Sequence, residues 1–138
     1  MGMEEAVARA WNLAISPKYS REIAATIRGM PLKKAKAILE RVIEKKQPIV
    51  LRKHNKEVPH HYGKPARYPV KAAQHILEVL KNAEANALYK GMDSEKLFIY
   101  RIETCRGGPK RPWGSKALGR ARKRGRRTNI VVVLREAK

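Results

Sequence analysis

A chain of 138 residues has room for one domain of ordinary size, spanning 1–138, and 43% apolar residues are enough for a real core, which excludes a wholly disordered chain. Its 32 Lys and Arg against 12 Asp and Glu leave a net charge of +20, a self-repulsion that destabilises a compact state unless a polyanion offsets it. No apolar run approaches a membrane-spanning helix, the N-terminus lacks the basic-then-apolar order of a signal peptide, and a single cysteine, Cys105, excludes an internal disulfide and suits a reducing cytoplasm.

Residues 7–15, "VARAWNLAI", alternate. Val7, Trp11, Leu13 and Ile15 fall on one face with Arg9 the exception, which predicts a strand, although the frequent Ala leaves a helix open. Ser16 is a good N-cap and Pro17 suits a first helical position. A helix is expected from there, with Tyr19, Ile23 and Ile27 on one face and Gly29 at its C-cap. A second helix starts at Pro31. Leu32, Ala35, Leu39 and Val42 form its apolar stripe, widened by Ile38 and Ile43, while Lys33, Lys34, Lys36 and Arg41 face away. Those four suit a solvated surface as well as they suit phosphate contact.

Residues 47–69 change character, with four Pro, mixed charge and no sustained period. They predict an ordered basic excursion, too long for a plain connection. The clearest helix starts at Pro69 and stops at Gly91. Val70, Ala73, Leu77, Leu80, Glu84 and Leu88 trace one side of it, widened by Ile76, Ala83 and Ala87. Ala83, Ala85 and Ala87 are small enough to let another helix or RNA approach closely. Residues 97–105 read as a strand with Leu97 and Ile99 on one face and Phe98, Tyr100 and Ile102 on the other. Residues 130–134 are a β-branched run ending in Leu, typical of a well-buried strand. The last two strands pair antiparallel and the first joins them. The expected class is α+β: a three-stranded antiparallel sheet with three helices packed on one face.

Catalytic chemistry finds little support. His54, His60, His61 and His75 are the only histidines, and there is no CxxC or HExxH pattern for zinc. His75 reads as a satisfied helix residue, and adjacent His60 and His61 diverge. Asp93 is the only aspartate and reads as a cap or turn residue, so paired-carboxylate or metal-assisted hydrolysis lacks ligands. Cys105 has no histidine near it in sequence to act as a base. Gly107 and Gly108 are not followed by the Gly-Lys-Ser/Thr of a phosphate loop. No enzyme activity, cofactor or metal is expected.

The charge has a focus. Residues 106–127, "RGGPKRPWGSKALGRARKRGRR", hold ten of the 32 basic residues and none of the acidic ones. A free basic tail is usually a solvated segment, but this one lies between two strands, where hairpin loops are normally two to five residues. Either the loop is disordered or the strands continue as a two-stranded arm over 103–129, reaching about 30 Å. An isolated hairpin is marginal in water, so such an arm needs a partner. Arg favours bidentate phosphate contact and stacking on bases. Arg106, Lys110, Arg111, Lys116, Arg120, Arg122, Lys123, Arg124, Arg126 and Arg127 are therefore candidate phosphate contacts. Trp113 is a candidate for stacking on an RNA base, with packing inside the loop as the plainer alternative.

Three stretches, "SPKYSREIAATIRG", "ILEVLKNAEANALYKGMDSEKLFI" and "SKALGRARKRGRRTNIVVVLRE", resemble the universal large-subunit ribosomal protein family numbered twenty-two in bacteria and seventeen in eukaryotes. The resemblance runs in order over nearly the whole chain. The excursion at 47–69 and its "ARYP" are more like the archaeal and eukaryotic branch. The resemblance implies a non-enzymatic structural constituent of the cytoplasmic large ribosomal subunit, with an α+β body near the tunnel exit. It implies a long β-hairpin threaded through 23S-type ribosomal RNA, its tip in the wall of the nascent-peptide tunnel. The implied partners are that RNA, neighbouring large-subunit proteins and the nascent polypeptide, with a role in subunit assembly and no homo-oligomer or membrane. Two positions depart from the family pattern: Lys116 stands where the arm often has Arg, and Thr128-Asn129 stands where Ser-His is usual. Against this, a basic architectural DNA-binding protein satisfies the charge but lacks a recognition helix or dimer motif. An RNA-processing enzyme lacks acids, bases and ligands.

Overall fold

The computed structural model describes residues 4–108 and 125–138. The elements run β1 (Glu5–Leu13), α1 (Pro17–Ile27), α2 (Leu32–Ile43), β2 (Ile49–Val50), β3 (His60–His61), β4 (Lys64–Arg67), α3 (Val70–Tyr89), a 3-10 turn (Ser94–Lys96), β5 (Leu97–Arg106) and β6 (Thr128–Glu136). The β-branched run of β6 takes the centre of an antiparallel sheet ordered β1-β6-β5. Ile130, Val132 and Leu134 are fully buried beneath the helices. The expected α+β class, with a three-stranded antiparallel sheet and three helices, is what the chain forms.

Both edges of this sheet are partly covered, which shortens the open hydrogen-bonding rows that invite aggregation. On the β5 side, Gly29 at φ 78° ends the α1 region and donates to the Ile99 carbonyl, while the Ile99 N–H returns to Met30. Arg28 adds a bond from its guanidinium to the Ile102 carbonyl (3.1 Å). On the β1 side, the Asn86 amide of α3 donates to the Val7 carbonyl (2.9 Å) and the Lys90 ammonium to the Glu5 carbonyl (2.6 Å). At the far end of the sheet, the Glu5 carboxylate hydrogen-bonds Arg135 and so raises that guanidinium's pKa above its ordinary value. The same guanidinium lies 3.4 Å from the centroid of the Tyr100 ring.

Several expected faces are reversed or shifted. In β1 the alanines face the core: Ala6 and Ala8 are buried, whereas Trp11 is 62% exposed and Val7 and Leu13 are only half-buried. The cause lies in α3, which packs on β1 and buries Ala83 and Ala87 completely. Small side chains on both elements let the helix approach closely, and close approach outweighs the greater apolar area of Val and Trp. In β5 the register slips between Ile99, opposite Leu134, and Arg101, opposite Val133. Tyr100 is the extra residue of a β-bulge, so Ile102 rejoins Leu97 and Ile99 on the buried face. Strict alternation places it on the other face.

Lys36 does not face away. Its ammonium lies 2.6 Å from the Glu84 carboxylate of α3, both side chains being about four-fifths covered. That pairing explains how a glutamate sits on the apolar side of α3. Leu88, one turn further along, is exposed, so the apolar stripe ends before the helix does. The excursion over 47–69 forms a second antiparallel sheet, ordered β2-β4-β3, with Ile49, Leu51 and Ala66 buried. Strands of two to four residues are too short to show a period in the sequence. Asp93 does cap the 3-10 turn, accepting the Glu95 N–H at 3.0 Å. At the root of the arm, β5 and β6 pair from Glu103 to Arg106 as the hairpin requires; residues 109–124 lie outside the described residues.

The close α3–β1 packing makes a discriminating pair of substitutions. Ala83→Leu should cost about 1–3 kcal/mol by overpacking, whereas Ala85→Leu, at an exposed site on the same helix, should change stability by less than about 0.5 kcal/mol. Urea unfolding of both variants measures the difference.

Candidate nucleic-acid interface

The root of the hairpin is held by a small set of neutral hydrogen bonds. The Thr128 hydroxyl, fully buried, donates to the Ile15 carbonyl at 2.9 Å. Asn12 sits at φ 54°, in the register shift that ends the β1 pairing, a left-handed conformation that Asn tolerates better than most residues. Its N–H donates to the Asn129 side-chain oxygen (2.8 Å), and its own side-chain oxygen accepts from Gly108 N–H (2.9 Å). Gly107 donates to the Arg127 carbonyl (2.8 Å). A Cβ at Gly107 would lie 2.6 Å from the Asn12 side-chain oxygen and 2.9 Å from the Arg127 Cβ, so no larger residue fits without displacement. Thr128 and Asn129 both take part in this clasp.

A second tie draws the excursion onto α1. Glu22, only 4% exposed, accepts the backbone N–H groups of Arg52 (3.0 Å) and Lys53 (3.2 Å), one on each carboxylate oxygen. The segment after Leu51 is thereby brought against the first turns of α1, beside the hairpin root.

Between these ties lies a cleft of about 690 Å³. Lys18 and Arg21 line it from α1, Lys53 and His54 from the excursion, and Arg106, Arg126 and Arg127 from the hairpin root. The one carboxylate in its lining is Glu22, already engaged by two backbone donors. Among the described residues, none of these Lys and Arg side chains forms an ion pair. The first turn of α1 reaches the cleft at Pro17 and Lys18, carries no acidic residue, and lacks a side-chain cap from Ser16. Its unpaired N–H groups and helix dipole add positive potential to that of the side chains. Such an arrangement suits charge-assisted hydrogen bonds to phosphates. It offers no nucleophile beside a base, and among the described residues no three His, Cys, Asp or Glu converge on a metal position.

Of the candidate phosphate contacts, Arg106, Arg126 and Arg127 come together here. Lys110, Arg111, Trp113, Lys116, Arg120, Arg122, Lys123 and Arg124 lie outside the described residues. The sequence reading missed Lys18, Arg21, Lys53 and His54. Lys18 and Arg21, three apart in the first turns of a predicted helix and clear of its Ile23–Ile27 stripe, were findable as one basic patch. Lys53 and His54 were not, because the buried carboxylate that positions them acts across about thirty residues of chain.

The sequence matches a family model described as ribosomal protein L22p/L17e over residues 8–135. Among curated relatives, the large ribosomal subunit protein uL22 of Methanopyrus kandleri is 48% identical over 125 residues, covering 86% of this chain and 79% of the relative. The protein of the same name from Methanosphaera stadtmanae is 47% identical over 141 residues (97% and 92%), and that from Ignicoccus hospitalis 44% over 139 (95% and 87%). All three sources are archaeal, in keeping with the branch suggested by the 47–69 excursion.

Because one buried carboxylate holds the excursion against α1, Glu22→Gln should be costly. The carboxamide offers one acceptor oxygen where two donors converge, so one N–H at residues 52–53 is left unmade. Urea unfolding should show a loss of about 1–3 kcal/mol, and hydrogen exchange should quicken at the Arg52 and Lys53 amides while the sheet amides stay protected.

Proposed function

The chain belongs to the ribosomal protein L22p/L17e family, and from that premise we propose that it is a structural constituent of the cytoplasmic large ribosomal subunit that grips ribosomal RNA at the root of its hairpin. The observation that carries this reading is the cleft where Arg106, Arg126 and Arg127 meet Lys18, Arg21 and Lys53 with no free carboxylate to neutralise them. A solvated surface would intersperse acids among such bases; a phosphate site leaves them unpaired.

In this reading the chain is one domain, and its arm over 103–129 continues the charged wall away from the body. Lys110, Arg111, Lys116, Arg120, Arg122, Lys123 and Arg124 meet further phosphates, and Trp113 stacks on a base. The arm's far end lines the tunnel through which the nascent polypeptide leaves. Neighbouring large-subunit proteins complete the surroundings, and the protein contributes binding and assembly rather than catalysis. The +20 charge then finds its counter-ion in the RNA.

Two measurements test it. The native protein should remain with large subunits through a high-salt wash. In direct binding to large-subunit RNA fragments, affinity should fall on the order of a thousandfold between about 50 and 200 mM salt if six or more phosphates are neutralised. Removing residues 110–126, or substituting Arg106→Gln together with Arg127→Gln, should flatten the salt slope by roughly 0.7–0.9 for each phosphate no longer neutralised. A slope unchanged in both variants would move the binding to another face of the body.

A further inference from the structure

On the other side of the first turn of α1 lies a second, smaller recess that differs from the cleft in chemistry. Its volume is about 410 Å³ and it opens widely to the surface. Tyr19, His61 and Tyr68 supply rings, Lys45 and Arg67 supply cations, and Pro59 and Pro69 supply rigid walls. No carboxylate is in the lining. We propose that this recess takes a single unpaired RNA base, with Lys45 and Arg67 holding its flanking phosphates.

The rings are fixed before any ligand arrives. His61 and Tyr68 meet edge to face, with centroids 5.0 Å apart and planes at 70°. Arg67 donates from its guanidinium to the Tyr19 hydroxyl at 3.2 Å, which orients the cation and the ring together. His61 ends β3 at a two-residue hairpin, Tyr62-Gly63, whose residues both have positive φ (53° and 75°). That turn geometry matches the twist of the paired strands and holds β3 in register against β4. Little ordering is then left for binding, and ordering is a large part of what weakens association.

The choice of RNA over a protein segment follows from the lining. Flat rings with cations and no acid suit a base, which has a π face and adjoining negative charge. Position points the same way. Lys18 lines the cleft, and Tyr19, the next residue, lines the recess; the Lys18 ammonium lies 5.5 Å from the Tyr19 ring centroid. A strand whose phosphates lie in the cleft can cross this turn and present a splayed base to the rings. The inference rests on the RNA-binding reading and adds to it a preference for single-stranded over paired RNA.

The test uses the full chain, with a labelled single-stranded RNA of mixed sequence and a blunt duplex of the same length, in fluorescence anisotropy. Tyr68→Leu and His61→Ala should each weaken single-strand binding about tenfold, the scale of one base stack, and leave duplex binding unchanged. Tyr68→Phe, which keeps the ring, should bind as the original chain does. His61 lies in β3, a short strand of the excursion, so its variant gives a second test if Tyr68→Leu fails to fold by circular dichroism. Single-strand affinity unchanged in folded His61→Ala and Tyr68→Leu would overturn the proposal while leaving the cleft reading intact; a recess reserved for a neighbouring protein gives that result. Failure of the unaltered chain to bind either RNA at low salt would overturn both.

Discussion

The end of β1 holds the root of the charged hairpin. There the strand turns through Asn12 in a left-handed conformation and closes on the hairpin root through Thr128, Asn129 and Gly108. All of these bonds are between neutral groups. That matters because the neighbouring side chains, Arg106, Arg126 and Arg127, repel one another, and no ion pair among the described residues opposes them. A buried hydroxyl such as Thr128 must be satisfied to be tolerated at all. Its bond to Ile15 thus fixes where β1 ends, where α1 begins, and where the hairpin leaves the body.

The acidic residues follow a consistent division. Glu5, Glu84, Glu95 and Glu103 pair with Arg135, Lys36, Lys33 and Arg101, all away from the cleft. Glu22, the one acid at the cleft, is held by backbone donors. The body as a whole stays net positive, but these ion pairs all lie away from the cleft, whose basic side chains are left without acidic partners among the described residues. In physical terms the free chain holds repulsive energy there which a bound polyanion would relieve, so under the proposed reading RNA binding would also stabilise the fold.

Much of this was legible in the sequence and the remainder fails for identifiable reasons. The three helices, each with a Pro at its start and two of them with a Gly after the end, follow from local chemistry, and so does β6. The face of β1 was misread because hydropathy ranks Trp11 above Ala6 and Ala8, whereas the approach of α3 rewards small side chains. Ile102 was misplaced because a bulge at Tyr100 leaves no trace in a period-two pattern. The excursion's sheet is made of strands too short to be periodic. At the site, Arg106, Arg126 and Arg127 were legible because charge clusters along the chain there. Lys53 and His54 were not, since their position depends on a tertiary bond from Glu22. Composition points to a polyanionic partner; only the fold says which cations come together.

The most direct test of RNA binding at the hairpin root is the structure of this chain in an assembled large subunit. RNA phosphate oxygens are predicted within about 2.7–3.2 Å of Arg106, Arg127 and Lys53, in the cleft bounded by α1 and the hairpin root. A cleft open to solvent or filled by a neighbouring protein, with RNA meeting the body only on another face, would contradict it.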